Sequence, residues 1–132
     1  MIGLDTNILV RYIVRDDPAQ TDAATRLIES HCTAEIPGFV SLIVLVELVW
    51  VLSRGYRYDK TIVVTVLRKI LAASELIVEA SPLVWTALSD FEKDNADFSD
   101  YLIAHQNKTA GCNLTYSFDR KTHKHPFFSA PS

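Results

Sequence analysis

From Pro37 to Ser53 the chain carries a single ionisable residue, Glu47, inside the run Leu-Ile-Val-Leu-Val-Glu-Leu-Val-Trp-Val-Leu. A lone carboxylate is costly to bury unless it is paired, protonated or bound to a metal. The pattern repeats along the chain. Asp5 follows Met-Ile-Gly-Leu, Asp100 precedes Tyr-Leu-Ile-Ala, and Asp119 follows Asn-Leu-Thr-Tyr-Ser-Phe. Each acid has a separate bland explanation. Asp5 suits a strand-end turn or helix cap, Asp100 a cap, Asp119 with Arg120 a plain turn, and Glu47 an internal ion pair, with Arg11 as the partner. Four separate explanations are a heavier demand than one: the acids act together.

At 132 residues the chain has room for one domain, 1–132, and no second. Hydrophobic content of 48% and charged content of 22% are those of a compact soluble protein. Cys32 and Cys112 match no metal or redox spacing and read as buried or half-buried free thiols in a reducing cytosol. The N-terminus has no basic leader, and Asp5 comes too early for a signal peptide. Leu42 to Leu52 is too short to span a bilayer, with Glu47 at its middle. A cytoplasmic protein with no membrane partner is expected.

The net charge of −3 gives no global basic footprint for nucleic acid. Neutralising Asp5, Glu47, Asp97, Asp100 and Asp119 in one metal cluster removes five negative charges and leaves the remainder at +2. The pairs Arg68-Lys69 and Arg120-Lys121 could then meet phosphates; on their own they read as solvated surface.

Periodicity and punctuation place the elements. Ile2 to Asp5 reads as a short buried strand ending at an acid, and Asn7 to Val14 as a helix broken by Asp16-Asp17-Pro18. Helices are predicted over Gln20–Ser30, Leu42–Ser53 with Ser41 as N-cap, and Lys60–Ala73. Two more run from Ser81-Pro82 to Lys93 and, after a capping box of Asp97 and Asp100, to Thr109. Strands are predicted in Ala34–Val40, Glu75–Ala80 and Asn113–Ser117, with an edge strand around Phe127-Phe128. Strands alternating with helices imply an α/β fold with a mostly parallel sheet covered on both faces. Ligands in such folds bind beyond the carboxyl ends of the strands, where Asp5 and Asp119 both fall, and Asp100 at a helix start could join them.

Crowded carboxylates repel and raise one another's pKa unless a cation sits among them. Oxygen ligands of this kind suit Mg2+ or Mn2+, and such ions activate water and stabilise displacement at phosphorus. Phosphodiester hydrolysis is the reaction class the acids point to. There is no P-loop, Gly-x-Gly-x-x-Gly or Gly-x-Ser-x-Gly motif. His123-Thr-His125 reads as solvated loop, because a two-residue spacing in a polar tail is a weak metal signal. A haloacid-dehalogenase-type phosphatase would want Asp at position 7, where Asn7 stands.

Four segments, taken in order, resemble a PIN domain, and specifically the VapC-type ribonuclease toxins of bacterial toxin–antitoxin pairs. They are Ile-Gly-Leu-Asp5-Thr6-Asn7, the Ser41–Leu52 helix with Glu47, Asp97-Phe-Ser-Asp100-Tyr-Leu-Ile-Ala104, and Ser117-Phe118-Asp119-Arg120-Lys121. The resemblance covers nearly the whole chain. It implies an α/β/α sandwich around a parallel sheet and a Mg2+- or Mn2+-dependent endoribonuclease acting on tRNA, rRNA or mRNA. Asp5 and Asp100 would be the primary metal ligands, with Glu47 and Asp119 completing the catalytic set. Asn7, Ser117 and Thr6 would orient ligands or water, and Asp97 is a fifth acid that binds metal or only caps a helix. The family also implies a homodimer and a cognate antitoxin that lays a helix or extended segment into an apolar groove. Ser117 stands where Thr is more usual. His105 stands where Ala is more usual and is expected to pack. The tail from His125 matches the family's closing strand only loosely. Two rival roles remain: a housekeeping PIN nuclease of RNA maturation, and a non-catalytic module whose acids hold a basic peptide.

Overall fold

The computed structural model describes all residues from Met1 to Ser132, in two compact units, Met1–Ser81 and Pro82–Ser132. In the first unit β1 (Ile2–Gly3), β2 (Gly38–Val40) and β3 (Leu76–Val78) form a parallel sheet in that order. Helices α1 (Thr6–Val14) and α2 (Pro18–Arg26) connect β1 to β2. The β2–β3 crossover contains α3 (Leu42–Trp50) and α4 (Lys60–Ala72). The parallel α/β character is the expected one.

The caps explain where these helices start. Asp5 accepts the Thr6 amide, Ser41 Oγ accepts the Val44 amide, and Asp59 accepts the Ile62 amide. Glu79, one residue past β3, reaches back to accept the Leu42 amide at 2.9 Å, a cap supplied from 37 positions away. The second helix begins at Pro18, not Gln20. Asp17 caps it by accepting the Gln20 amide, so the Asp-Asp-Pro triplet starts this helix as well as ending α1.

Gly38 is required by a close approach. A Cβ there would lie 2.8 Å from Leu4 Cδ1, 3.1 Å from Cys32 Sγ and 3.2 Å from Leu76 Cδ2. Leu4 and Cys32 are buried, so their side chains have little room to yield. Gly38→Ala is expected to destabilise the protein by about 1–3 kcal/mol, read from urea unfolding; an unchanged midpoint would contradict this packing.

The second unit contains α5 (Ser81–Lys93, whose first residue closes the first unit), α6 (Phe98–Thr109), and the parallel pair β4 (Thr115–Tyr116) and β5 (Phe128–Ser129). Helix α5 buries Val84, Ala87, Leu88 and Phe91, and α6 buries Phe98, Tyr101, Leu102 and Ala104. Phe91 and Phe98 meet edge to face at 5.9 Å. The expected tail strand forms at Phe128–Ser129. No helix is long and apolar enough to cross a membrane. Cys32 is buried as expected; Cys112, just past the end of α6, is exposed.

Candidate active site

The first unit holds Asp5 and Glu47. Asp5 is the N-cap of α1 and is exposed. Glu47 is exposed too, which corrects the premise that the apolar run buries it. Ile43, Glu47 and Trp50 follow the i, i+4, i+7 spacing and form the exposed face of α3, while Leu45, Leu48 and Leu52 are fully buried. Its partner is Thr6, whose hydroxyl donates to Glu47 Oε1 at 2.9 Å. Arg11 is not the partner. It binds Asp16 at 2.8 Å, Gln20 at 2.6 Å and the Tyr56 hydroxyl at 3.3 Å. Buried Thr6 therefore has an amide on Asp5 and a hydroxyl on Glu47, and ties the two acids together. Asn7 is exposed on the first turn of α1.

The second unit holds Asp97, Asp100, Ser117 and Asp119. The capping box forms as expected: the Asp97 amide donates to Asp100 Oδ2 at 3.0 Å. Ser117 Oγ accepts the Asp119 amide at 3.0 Å, and Asp119 Oδ1 accepts the Lys121 amide at 2.9 Å. Burial holds the Asp100 carboxyl above the ordinary carboxylate range, and the charges of Asp97 and Asp119 push it further the same way. The Asp97 amide and Lys121 act against the rise.

Within each unit these acids offer hard oxygen donors of the kind a divalent cation takes. All the candidate ligand atoms are carboxylate oxygens, and like charges already press on Asp100. Asp5, Glu47 and Asp119 each accept a protein hydrogen bond through one oxygen and keep the other available.

The family model of the PIN domain matches residues 2–127, which takes in every one of these acids. The chain belongs to the PIN domain family. It is also 26% identical, over 121 residues, to the VapC ribonuclease of Aquifex aeolicus (strain VF5), an alignment covering 92% of this chain and 89% of that one.

One cluster in this PIN domain protein escaped the sequence reading. Asp90 Oδ2 accepts from His105 Nε2 at 2.6 Å and from His125 Nε2 at 2.9 Å. His125 is buried, not part of a solvated loop, and its Nδ1 accepts the Phe127 amide at 3.1 Å. That bond leaves the His125 proton on Nε2, aimed at Asp90. His105 is half-buried and packs edge to face on His125 and Phe127, which accords with a packing role. The sequence signal was faint: Asp90 borders the buried stripe of α5, next to Phe91, and nothing local links it to a histidine 35 positions on.

Proposed function

We propose that the protein is a metal-dependent endoribonuclease and the toxin of a toxin–antitoxin pair, working as a single PIN domain over 1–132. The carrying observation is the second-unit acid group: burial first, then the charges of Asp97 and Asp119, raise the Asp100 carboxyl, and a divalent cation would relieve that crowding. The likeness to a protein named VapC ribonuclease supports the same reading. In this proposal the carboxylates that serve the metal are Asp5, Glu47, Asp100 and Asp119, of which Asp5 and Asp119 each follow a strand.

Asp5 and Asp100 would hold Mg2+ or Mn2+, and Glu47 and Asp119 would complete the set directly or through water. A divalent ion bound there would supply an activated water and positive charge for the phosphoryl oxygens of a phosphodiester. Thr6 fixes the Glu47 carboxylate, Ser117 fixes the loop of Asp119 through its amide, and Asn7 orients water. No side chain serves as nucleophile.

The substrate is RNA in single-stranded or loop form. Leu114, Tyr116 and Phe118 are exposed while Thr115 and Ser117 are half-buried, the alternation of a strand, and Phe118 is 89% exposed beside Asp119, Arg120 and Lys121. Aromatic faces next to cations suit unstacked bases. Phe118→Ala is expected to raise KM for RNA about tenfold or more with kcat little changed, and Phe118→Trp to restore it. Equal KM values in all three proteins would remove Phe118 from the RNA contact.

An apolar cleft of about 310 Å3 in the first unit, lined by Leu9, Tyr12, Ile13, Ile28, Val66 and Ile70 among others, is the candidate seat of the antitoxin segment. The toxin works in the cytoplasm as a homodimer. The test is cleavage of a total tRNA and rRNA pool with Mg2+ or Mn2+, its loss in EDTA, and growth arrest on expression without a partner. Cleavage without growth arrest would point to a housekeeping nuclease. An absence of both cleavage and Mn2+ binding would point to a non-catalytic module.

A further inference from the structure

Asp90, His105 and His125 come from α5, α6 and the turn before β5, all within the second unit. Their three ligand atoms lie within 4.8 Å of one another. We infer that they form a second metal site, selective for a borderline transition ion such as Zn2+ and distinct in chemistry from the carboxylate set. Two imidazole nitrogens and one carboxylate oxygen are donors for Zn2+, Co2+ or Ni2+ and poor ones for Mg2+, which favours oxygen alone.

The geometry is that of a site closed on itself. Tetrahedral zinc with bonds of about 2.0–2.1 Å needs donors about 3.3 Å apart. The nitrogen–oxygen separations of 2.6 and 2.9 Å need to open by less than about 1 Å, and the two nitrogens, within 4.8 Å of each other, to close by about 1.5 Å at most, changes within side-chain torsions. Aromatic rings already orient His125: Tyr101 lies at 5.8 Å, His105 at 5.5 Å and Phe127 at 5.1 Å between centroids. The Asp90 side chain is 23% and the His105 side chain 15% exposed, which leaves an entry path and room for water as fourth ligand.

The hydrogen-bond pattern sets one clear obstacle. Metal at His125 Nε2 requires the proton to move to Nδ1, where it would face the Phe127 amide, which would then lose its acceptor. Two donors facing each other where a hydrogen bond stood weaken binding by about ten- to a hundredfold. Coordination by two imidazoles and a carboxylate outweighs a loss of that size, so the metal prevails over the turn. The same conflict supplies a signature: the Phe127 amide must change environment when the metal binds.

The site is tested on the full chain, stripped by chelator and held in excess Mg2+ to occupy oxygen sites. Calorimetric titration with Zn2+ is expected to give one ion per chain at micromolar or tighter Kd. Binding should fall at least a hundredfold in the His105→Gln/His125→Gln variant, whose glutamines still donate to Asp90, and persist in Asp5→Asn/Asp100→Asn. His123→Ala serves as a control for the neighbouring histidine and should leave Kd unchanged. Independently of any variant, Co2+ should give visible d–d absorption of a tetrahedral site, and Zn2+ should shift the Phe127 amide resonance. Zn2+ binding weaker than about 100 μM overturns the proposal, as does binding that survives the double glutamine change, or a Phe127 amide that stays put at saturation.

Discussion

Asp100→Asn is expected to abolish RNA cleavage while making the fold more stable at neutral pH. The activity loss should be at least about a hundredfold, since groups one shell further out are already worth 10- to 100-fold around a metal. The stability gain follows from the raised carboxyl. Burial disfavours the ionised form, and Asp97 and Asp119 add to the effect. A carboxyl whose folded pKa lies above its unfolded value carries no penalty below the unfolded value; the penalty develops as pH rises through the folded one. Asparagine keeps an oxygen for the Asp97 amide and has no charge to bury. The variant should therefore melt about 1–3 °C above wild type at pH 7, with the difference closing near pH 4. Mn2+ should reverse the order, because it stabilises the ionised wild type and has less to bind in the variant. A fully active Asn variant would remove Asp100 from the metal set. A variant less stable than wild type at pH 7 would mean that the like charges do not press on it. Asp5→Asn should share the activity loss, since Asp5 is the other proposed primary ligand.

Asp90→Ala should give the largest stability loss of any single polar change in the second unit, about 2–4 kcal/mol by urea unfolding. One oxygen of Asp90 serves two histidines, and its removal leaves the Nε2–H groups of His105 and buried His125 without their acceptor. Asp90→Asn keeps an oxygen for them and should lose about half as much. If Asp90→Ala unfolds within about 0.5 kcal/mol of wild type, the cluster is incidental to the fold.

Much of the architecture was legible because its signals are local. Ser41, Asp59 and Asp97 stand where caps belong, and apolar spacing marks the stripes of α4 and α5. The second helix starts two residues before its expected Gln20 because Asp-Asp-Pro both ends α1 and starts α2, with Pro18 at the first helical position. The capping box of Asp97 and Asp100 could be written down from spacing, since both its bonds close within four residues.

By itself the sequence determined the element order and the parallel α/β class, because periodicity and caps act over a few residues. Only the tertiary structure decided that Glu47 faces outward and is held by Thr6, 41 positions away, instead of by Arg11. It also decided that His125 leaves the polar tail to share Asp90 with His105. The physical reason is the same in both cases. A polar side chain takes whichever partner packing brings within about 3 Å, and chain distance does not encode that choice.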